Sequence, residues 1–254
     1  FTAMLAVSTS PIIARYLDNV PAVSISFWRM TFGALILWGT SLVKKQIPLK
    51  KDNLKRTMIA GILLGIHFAL FFGSLKFTTI ANATFLGTLA PLFTFSIEKF
   101  ILKRDHSLKL LLGLGLAVCG AIIIVGNRFD FSSNYTIGNL LAVACSIFLG
   151  IGFIISAKVR KEVDTISYSR TLFSSAAVTL LIIAFFTDSS LTKFSHIEFS
   201  GLLLLGIIPT LLGHGSMYYA IRYVPSTVVA ATPMGEPILA SIMAWFLFQE
   251  SVGV

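Results

Sequence analysis

The stretch 79-TIANATFLGTLAPLFTFSIEKFIL-102 decides the fold. It is apolar, and longer than the ~20 residues, each rising 1.5 Å, that a helix needs to cross a bilayer. Pro91 interrupts it near the middle, and Asn82, Thr84 and Thr88 place polar side chains in its first half. A second stretch, 225-PSTVVAATPMGEPILASIMAWFLF-248, repeats the layout 146 residues later. At that offset Pro91 falls on Pro237, Phe100 on Phe246, Lys76 on Arg222 and Phe77 on Tyr223. An independent register appears earlier in the chain, at an offset of 141: Ser26, Phe27, Arg29 and Phe32 fall on Ser167, Tyr168, Arg170 and Phe173. Apolar segments broken by Pro and Gly at matching places in two similar halves point to a transporter built from an internal repeat, with its binding site near those segments.

The composition agrees. Hydrophobic residues make up 56% of the chain and charged residues 12%, about half the charge of an average soluble domain. Mean hydropathy is +0.86. The bilayer is the solvent that suits such a chain. The net charge of +9 raises the question of nucleic acid. Its bases, however, sit in short loops between apolar runs, with no long basic face or RNA-binding motif, so no nucleic-acid partner is expected. Cys119 and Cys145 lie inside apolar segments and read as small buried hydrophobes, not as a disulfide or metal site. The chain starts at Phe1 without a charged leader, which reads as a trimmed N-terminus and not a signal peptide.

Nine segments meet the length of a membrane span or nearly so: Phe1–Leu17, Ala22–Val43, Thr57–Leu75, Thr79–Leu102, Ser107–Val125, Thr136–Ser156, Thr165–Thr187, Phe199–Ala220 and Pro225–Phe248. They are called spans 1 to 9. The division expected is a first repeat over residues 1–125, an external connector over 126–135 and a second repeat over 136–254. The repeat predicts a tenth span that this sequence lacks. Fourteen bases fall in the loops after spans 2, 4, 6 and 8, against four (Arg15, Lys76, Arg128 and Lys193) on the other side. That asymmetry predicts that the even-numbered spans run towards the cytoplasm and that the N-terminus is cytoplasmic. The halves then have opposite orientations. The fold expected is an all-α, polytopic, ten-helix inverted-repeat bundle of five spans and five, in the cell (inner) membrane.

Three runs bear a family resemblance. They are 24-SISFWRMTFGALIL-37 after a Pro-containing turn, 83-ATFLGTLAPLFTFSIEKFILKRD-105, and above all 232-TPMGEPILASIMAWFLFQE-250. Together they resemble the EamA-type members of the drug/metabolite transporter superfamily. Glu236–Pro237, Trp245 and Glu250 fall on that family's Glu-Pro, Trp and terminal Glu. The matching end of span 4 reads Lys103-Arg104-Asp105, so its acid is absent or shifted. The resemblance implies ten helices in two inverted halves, cytoplasmic termini, and alternating access around a central cavity. It also implies a small-molecule cargo (amino acids, amines or drug-like solutes), with export favoured.

Candidate residues follow from the price of polarity in lipid, about 2.5–3.5 kcal/mol for an Asp or Arg at a span centre. Glu236 sits mid-span among Pro233, Gly235 and Pro237. It reads either as a carboxylate for a cationic group or a proton, or as a structural partner of a base such as Arg29. His214 in span 8 and His67 in span 3 suit proton coupling or hydrogen bonding to substrate, or simple bonding between helices. Arg29 and Arg170 read as anion anchors or as snorkelling or acid-paired bases. Asn82, Thr88 and Tyr218, with Thr84, Tyr219 and Trp28, either furnish a polar-aromatic cavity or act as interhelical bonds and interface aromatics. Substrate contact is thus assigned to Glu236, His214, His67, Thr88, Tyr218 and Asn82, proton coupling to Glu236 and His214, and bending to Pro91 and Pro237. Gly61 and Gly65, with Gly113, Gly115 and Gly120, read as close-packing faces. No sequence motif points to a catalytic residue, a metal or a cofactor. The remaining alternatives are an intramembrane enzyme or a channel. Partners expected are the small solute, the bilayer and protons, in a monomer or homodimer.

Overall fold

The computed structural model describes residues 1–43, 46, 48–125 and 135–248. The connector 126–134, Lys44, Lys45, Arg128 and Glu250 lie outside the described residues. What is described is helix, turn and loop. Among the described residues, six helices are long and apolar enough to cross a membrane: Ala22–Val43, Lys51–Ser74, Thr136–Val159, Thr165–Phe186, His196–Ala220 and Ser226–Leu247. They correspond to spans 2, 3, 6, 7, 8 and 9. Span 3 starts before the expected Thr57, so Lys51, Lys55 and Arg56 ride on its first turns. Span 5 is the helix Leu108–Val125. Spans 1 and 4 are broken into pieces. Many large apolar side chains point outward, including Leu42 at 89%, Phe185 at 81% and Leu116 at 75% exposure. Such a coat belongs against lipid and not water.

The breaks have local causes. In span 4, Pro91 has no N–H for the Gly87 carbonyl, and its ring crowds that turn. The first piece, α5 (Ile80–Gly87), ends there, and the second, α6 (Ala90–Ser96), restarts with Pro in its first turn. The Leu86 carbonyl takes a hydroxyl from outside its helix, Ser146 Oγ of span 6 at 2.5 Å. In span 8, Pro209 denies a donor to the Leu205 carbonyl. Thr210 Oγ1 supplies one instead at 2.9 Å, and Gly206–His214 widens into a π-helix. Span 9 opens with α12 (Ser226–Ala230), tightens into a 3₁₀ turn over Thr232–Gly235 at Pro233, and resumes as α13 (Glu236–Phe248). Pro237 is the second residue of α13, where a missing N–H costs little. Its side chain lies outside those described.

Span 3 runs along spans 6 and 7, span 2 along span 7, and span 1 against span 8. Small residues allow this closeness. A Cβ added at Gly61 would stand 2.4 Å from the Leu172 carbonyl oxygen, and one at Gly65 2.8 Å from Thr179 Cβ. The main core joins spans 2, 3, 6, 7 and 8 through Met30, Leu64, Phe153, Tyr168, Phe173 and Tyr218. Two expectations need correction. Gly113, Gly115 and Gly120 meet no atom within 4 Å of an added Cβ, so they are not a packing face inside the described chain. Arg160, counted as a loop base, is only 1% exposed. Its Nε donates to the Tyr218 carbonyl at 2.8 Å, and its other nitrogens to the Val163 carbonyl and Thr165.

Candidate functional site

The polar centre is built around Arg29. It lies about 10 Å along span 2 from the helix start and is 5% exposed. Nε donates to Thr210 Oγ1 at 3.1 Å and Nη1 reaches Ser10 Oγ at 3.4 Å. The guanidinium stands over the Phe68 ring, 4.9 Å from its centroid. Thr210 occupies the π stretch of span 8, and Ser10 follows the kink of span 1. Thr210 Oγ1 thus both closes the Leu205 carbonyl and receives Arg29, and the irregular helix and the buried cation are one construction. π-Segments recur at functional sites because they turn side chains inward that an α-helix would face elsewhere.

Three further ionisable groups share this field. Glu236, half-buried at the start of α13, interacts electrostatically with Arg29. His67 and His214 do so too. The His214 ring packs 5.9 Å from Phe68 and 6.4 Å from Tyr218, and its buried Nδ1 has no hydrogen-bond partner. His67 Nδ1 lies 3.0 Å from the Cys145 carbonyl oxygen, which can only accept, so Nδ1 carries the proton. Met4 of span 1 sits against Gly235, where an added Cβ would fall 2.1 Å from its sulfur. Spans 1, 2, 3, 8 and 9 therefore meet at one place.

The sequence candidates divide. Glu236, His214 and Tyr218 belong to this centre, and His67 borders it while tied to span 6. Tyr218 is a wall residue, 2% exposed among Phe153, Tyr168 and Phe173. Asn82 is fully buried and donates to Asn139 Oδ1 of span 6 at 2.9 Å. Thr88 stands at the break of span 4, its hydroxyl on the Phe85 carbonyl at 2.9 Å. Neither is joined to the Arg29 group by any contact described. Trp28 donates to the Leu191 carbonyl at 3.0 Å and packs on Phe32 and Phe199, and Tyr219 is 57% exposed beside Tyr223. Trp28 and Tyr219 are likewise not joined to the Arg29 group by any contact described. Thr210, Ser10 and Phe68 were not singled out beforehand. Pro209 inside an apolar span, followed at once by a hydroxyl, was the signal available for Thr210.

A helical bundle with a lipid-facing apolar coat and a buried cluster of base, acid and imidazoles at broken helices is the architecture of a membrane transporter. The model of the EamA-like transporter family matches residues 1–126 and 136–254. The chain belongs to that family. It is similar to the uncharacterized transporter YdfC of Bacillus subtilis (strain 168), 22% identical over 252 residues, covering 96% of this chain and 79% of YdfC. It is also similar to the uncharacterized transporter YyaM of the same organism, 24% identical over 173 residues, covering 65% of this chain and 56% of YyaM. The match thus spans little more than half of YyaM. A solved crystal structure shares the fold with a TM-score of 0.84 at 19% identity, over 99% of this chain and 87% of that one.

Proposed function

We propose that this transporter moves a small metabolite, an amino acid, amine or drug-like solute that engages the site through an anionic, cationic or polar group, by alternating access, with export the favoured direction. The observation that carries this is Arg29, held by Thr210 and Ser10 in electrostatic reach of Glu236. A buried base and acid offer opposite charges to one small solute, and His214 offers a free ring nitrogen. Phe68 and Tyr218 supply the apolar wall. Glu236 and His214 are the groups proposed to carry a coupled proton; Pro91 is proposed as the bend of span 4, and Pro237, just after the 3₁₀ turn at Pro233, as the end of the bend in span 9.

The halves are read as inverted repeats, residues 1–125 and 136–254, whose family partners bring a tenth span. Two things support this. The family model matches the chain in two stretches of similar length. The packing is also reciprocal: span 3 on span 6 answers span 8 on span 1, and span 7 on span 3 answers span 2 on span 8. The basic loops support an inner-membrane protein with a cytoplasmic N-terminus.

The test is uptake into proteoliposomes against a mixed metabolite panel read by mass spectrometry, with and without a pH gradient. Saturable accumulation of particular solutes is expected. Glu236→Gln should abolish the response to the gradient, and wild-type transport by that variant at every pH would remove Glu236 from the mechanism. Chemical alteration of the panel without movement would favour an enzyme, and non-saturable equilibration a channel.

A further inference from the structure

A second buried charge lies away from the polar centre. Glu98 belongs to the π turn Ile97–Ile101 that ends span 4, and its side chain is fully buried. Both carboxylate oxygens are occupied from span 9. Ser226 Oγ donates to Oε1 and Thr227 Oγ1 to Oε2, each at 2.7 Å. The loop after span 4 adds Arg104 Nη1 on Oε1 at 2.8 Å and His106 Nε2 at 3.8 Å from Oε2. His106 is otherwise seated on Phe95, with ring centroids 5.0 Å apart. Charge-assisted bonds of this kind are the strong ones, and a carboxylate buried without them is costly.

The cluster fastens only one end of the two broken spans. On the basic-loop side, α6 of span 4 packs on α12 of span 9. Among the described residues no packing of similar extent joins the other pieces, α5 and α13. The sequence is equally one-sided. At the repeat offset of 146, Glu98 falls on Ala244, and Ser226 and Thr227 fall on Ile80 and Ala81. The matching positions therefore carry no acid and no hydroxyls with which to build the same device.

We infer that Glu98 is the latch of the transport cycle: its bonds to Ser226 and Thr227 hold spans 4 and 9 together on the basic-loop side, and the polar centre reaches that side only when they part. Glu98 is a positioning residue and does not touch solute. The inference rests on the alternating-access reading, but its test needs no solute, so its failure is distinguishable from a failed uptake panel.

The test uses Ala230→Cys, one turn beyond Thr227 and 1% exposed, in the full chain with Cys119→Ala and Cys145→Ala. A membrane-impermeant maleimide is applied to sealed vesicles of both orientations. With the latch intact, labelling is slow from the basic-loop face. Glu98→Gln should accelerate it about tenfold from that face alone, since a charged acceptor of three bonds is lost. Ser226→Ala combined with Thr227→Ala should accelerate it about threefold, and this variant decides if Glu98→Gln does not fold. A rise confined to the basic-loop face supports the latch; a rise confined to the other face, or equal at both faces, overturns it. Unchanged labelling from both faces, in variants with native elution and thermal midpoint, overturns it.

Discussion

Arg29 and Arg170 fall on one another at the sequence offset of 141, yet they live in different surroundings. Arg29 is buried, bonded to Thr210 and Ser10 and laid over Phe68. Arg170 turns to the outside of span 7 and stacks on Trp38, 4.4 Å from that ring, which is itself 47% exposed. Its Nε is buried without a hydrogen-bond partner. The difference lies in what faces each arginine. Span 2 meets the π stretch of span 8, where Pro209 has freed a carbonyl and turned Thr210 inward. Arg170 on span 7 meets the Trp38 ring of span 2, on a helix that no proline breaks. A matching register sets depth in the membrane, and the neighbour decides use.

The comparison can be broken most directly at the arginines. Arg29→Lys keeps the charge but cannot hold two hydroxyls and lie flat on Phe68. It should lower the initial rate of proteoliposome uptake about 10- to 100-fold, the worth of one or two hydrogen bonds to a charged group. Arg170→Lys should stay within about twofold, because only its stacking contact with Trp38 changes. Equal losses at both sites would show that the two arginines share a role. Next in size is packing. Gly61→Ala forces a methyl onto the Leu172 carbonyl and should cost about 1–3 kcal/mol, visible as a lowered midpoint in detergent thermal melts. Gly113→Ala, with open space before it, should move the midpoint by no more than about 0.5 kcal/mol allows. Trp38→Leu should fall between those two, about 0.5–1 kcal/mol of lost cation–π contact with uptake unchanged.

Much of the architecture was legible because apolar length and proline are local signals. The spans fell where the runs were, and the interruptions of spans 4 and 9 fell at Pro91 and around Pro233. Glu236 and His214 were legible as well, since a charge or imidazole in an apolar run stands out. The partners were not. That Arg29 bonds Thr210, across 181 residues, depends on a π stretch that no periodicity announces. Asn82 stood out as a polar residue in an apolar run, but one sequence cannot show that Asn139 waits opposite. Glu98 lay inside the expected span 4 and was passed over as the span's end. The insertion cost that drew notice to Glu236 applied equally to it, but its partners Ser226 and Thr227 lie 128 and 129 residues away.

The Ser146 hydroxyl on the Leu86 carbonyl has a consequence for biogenesis. A ribosome delivers span 4 to the membrane before span 6 exists, so that carbonyl enters the bilayer with its eventual partner still unmade. The carboxylate of Glu98 waits longer, until Ser226 and Thr227 are translated near the end of the chain. The first five spans are therefore born with polar groups in lipid whose partners among the later spans are not yet made, Arg104 being the one charged neighbour Glu98 has from the start. It follows that the two halves mature together, with the nascent first five spans held near the insertion machinery or shielded by water until the later ones arrive.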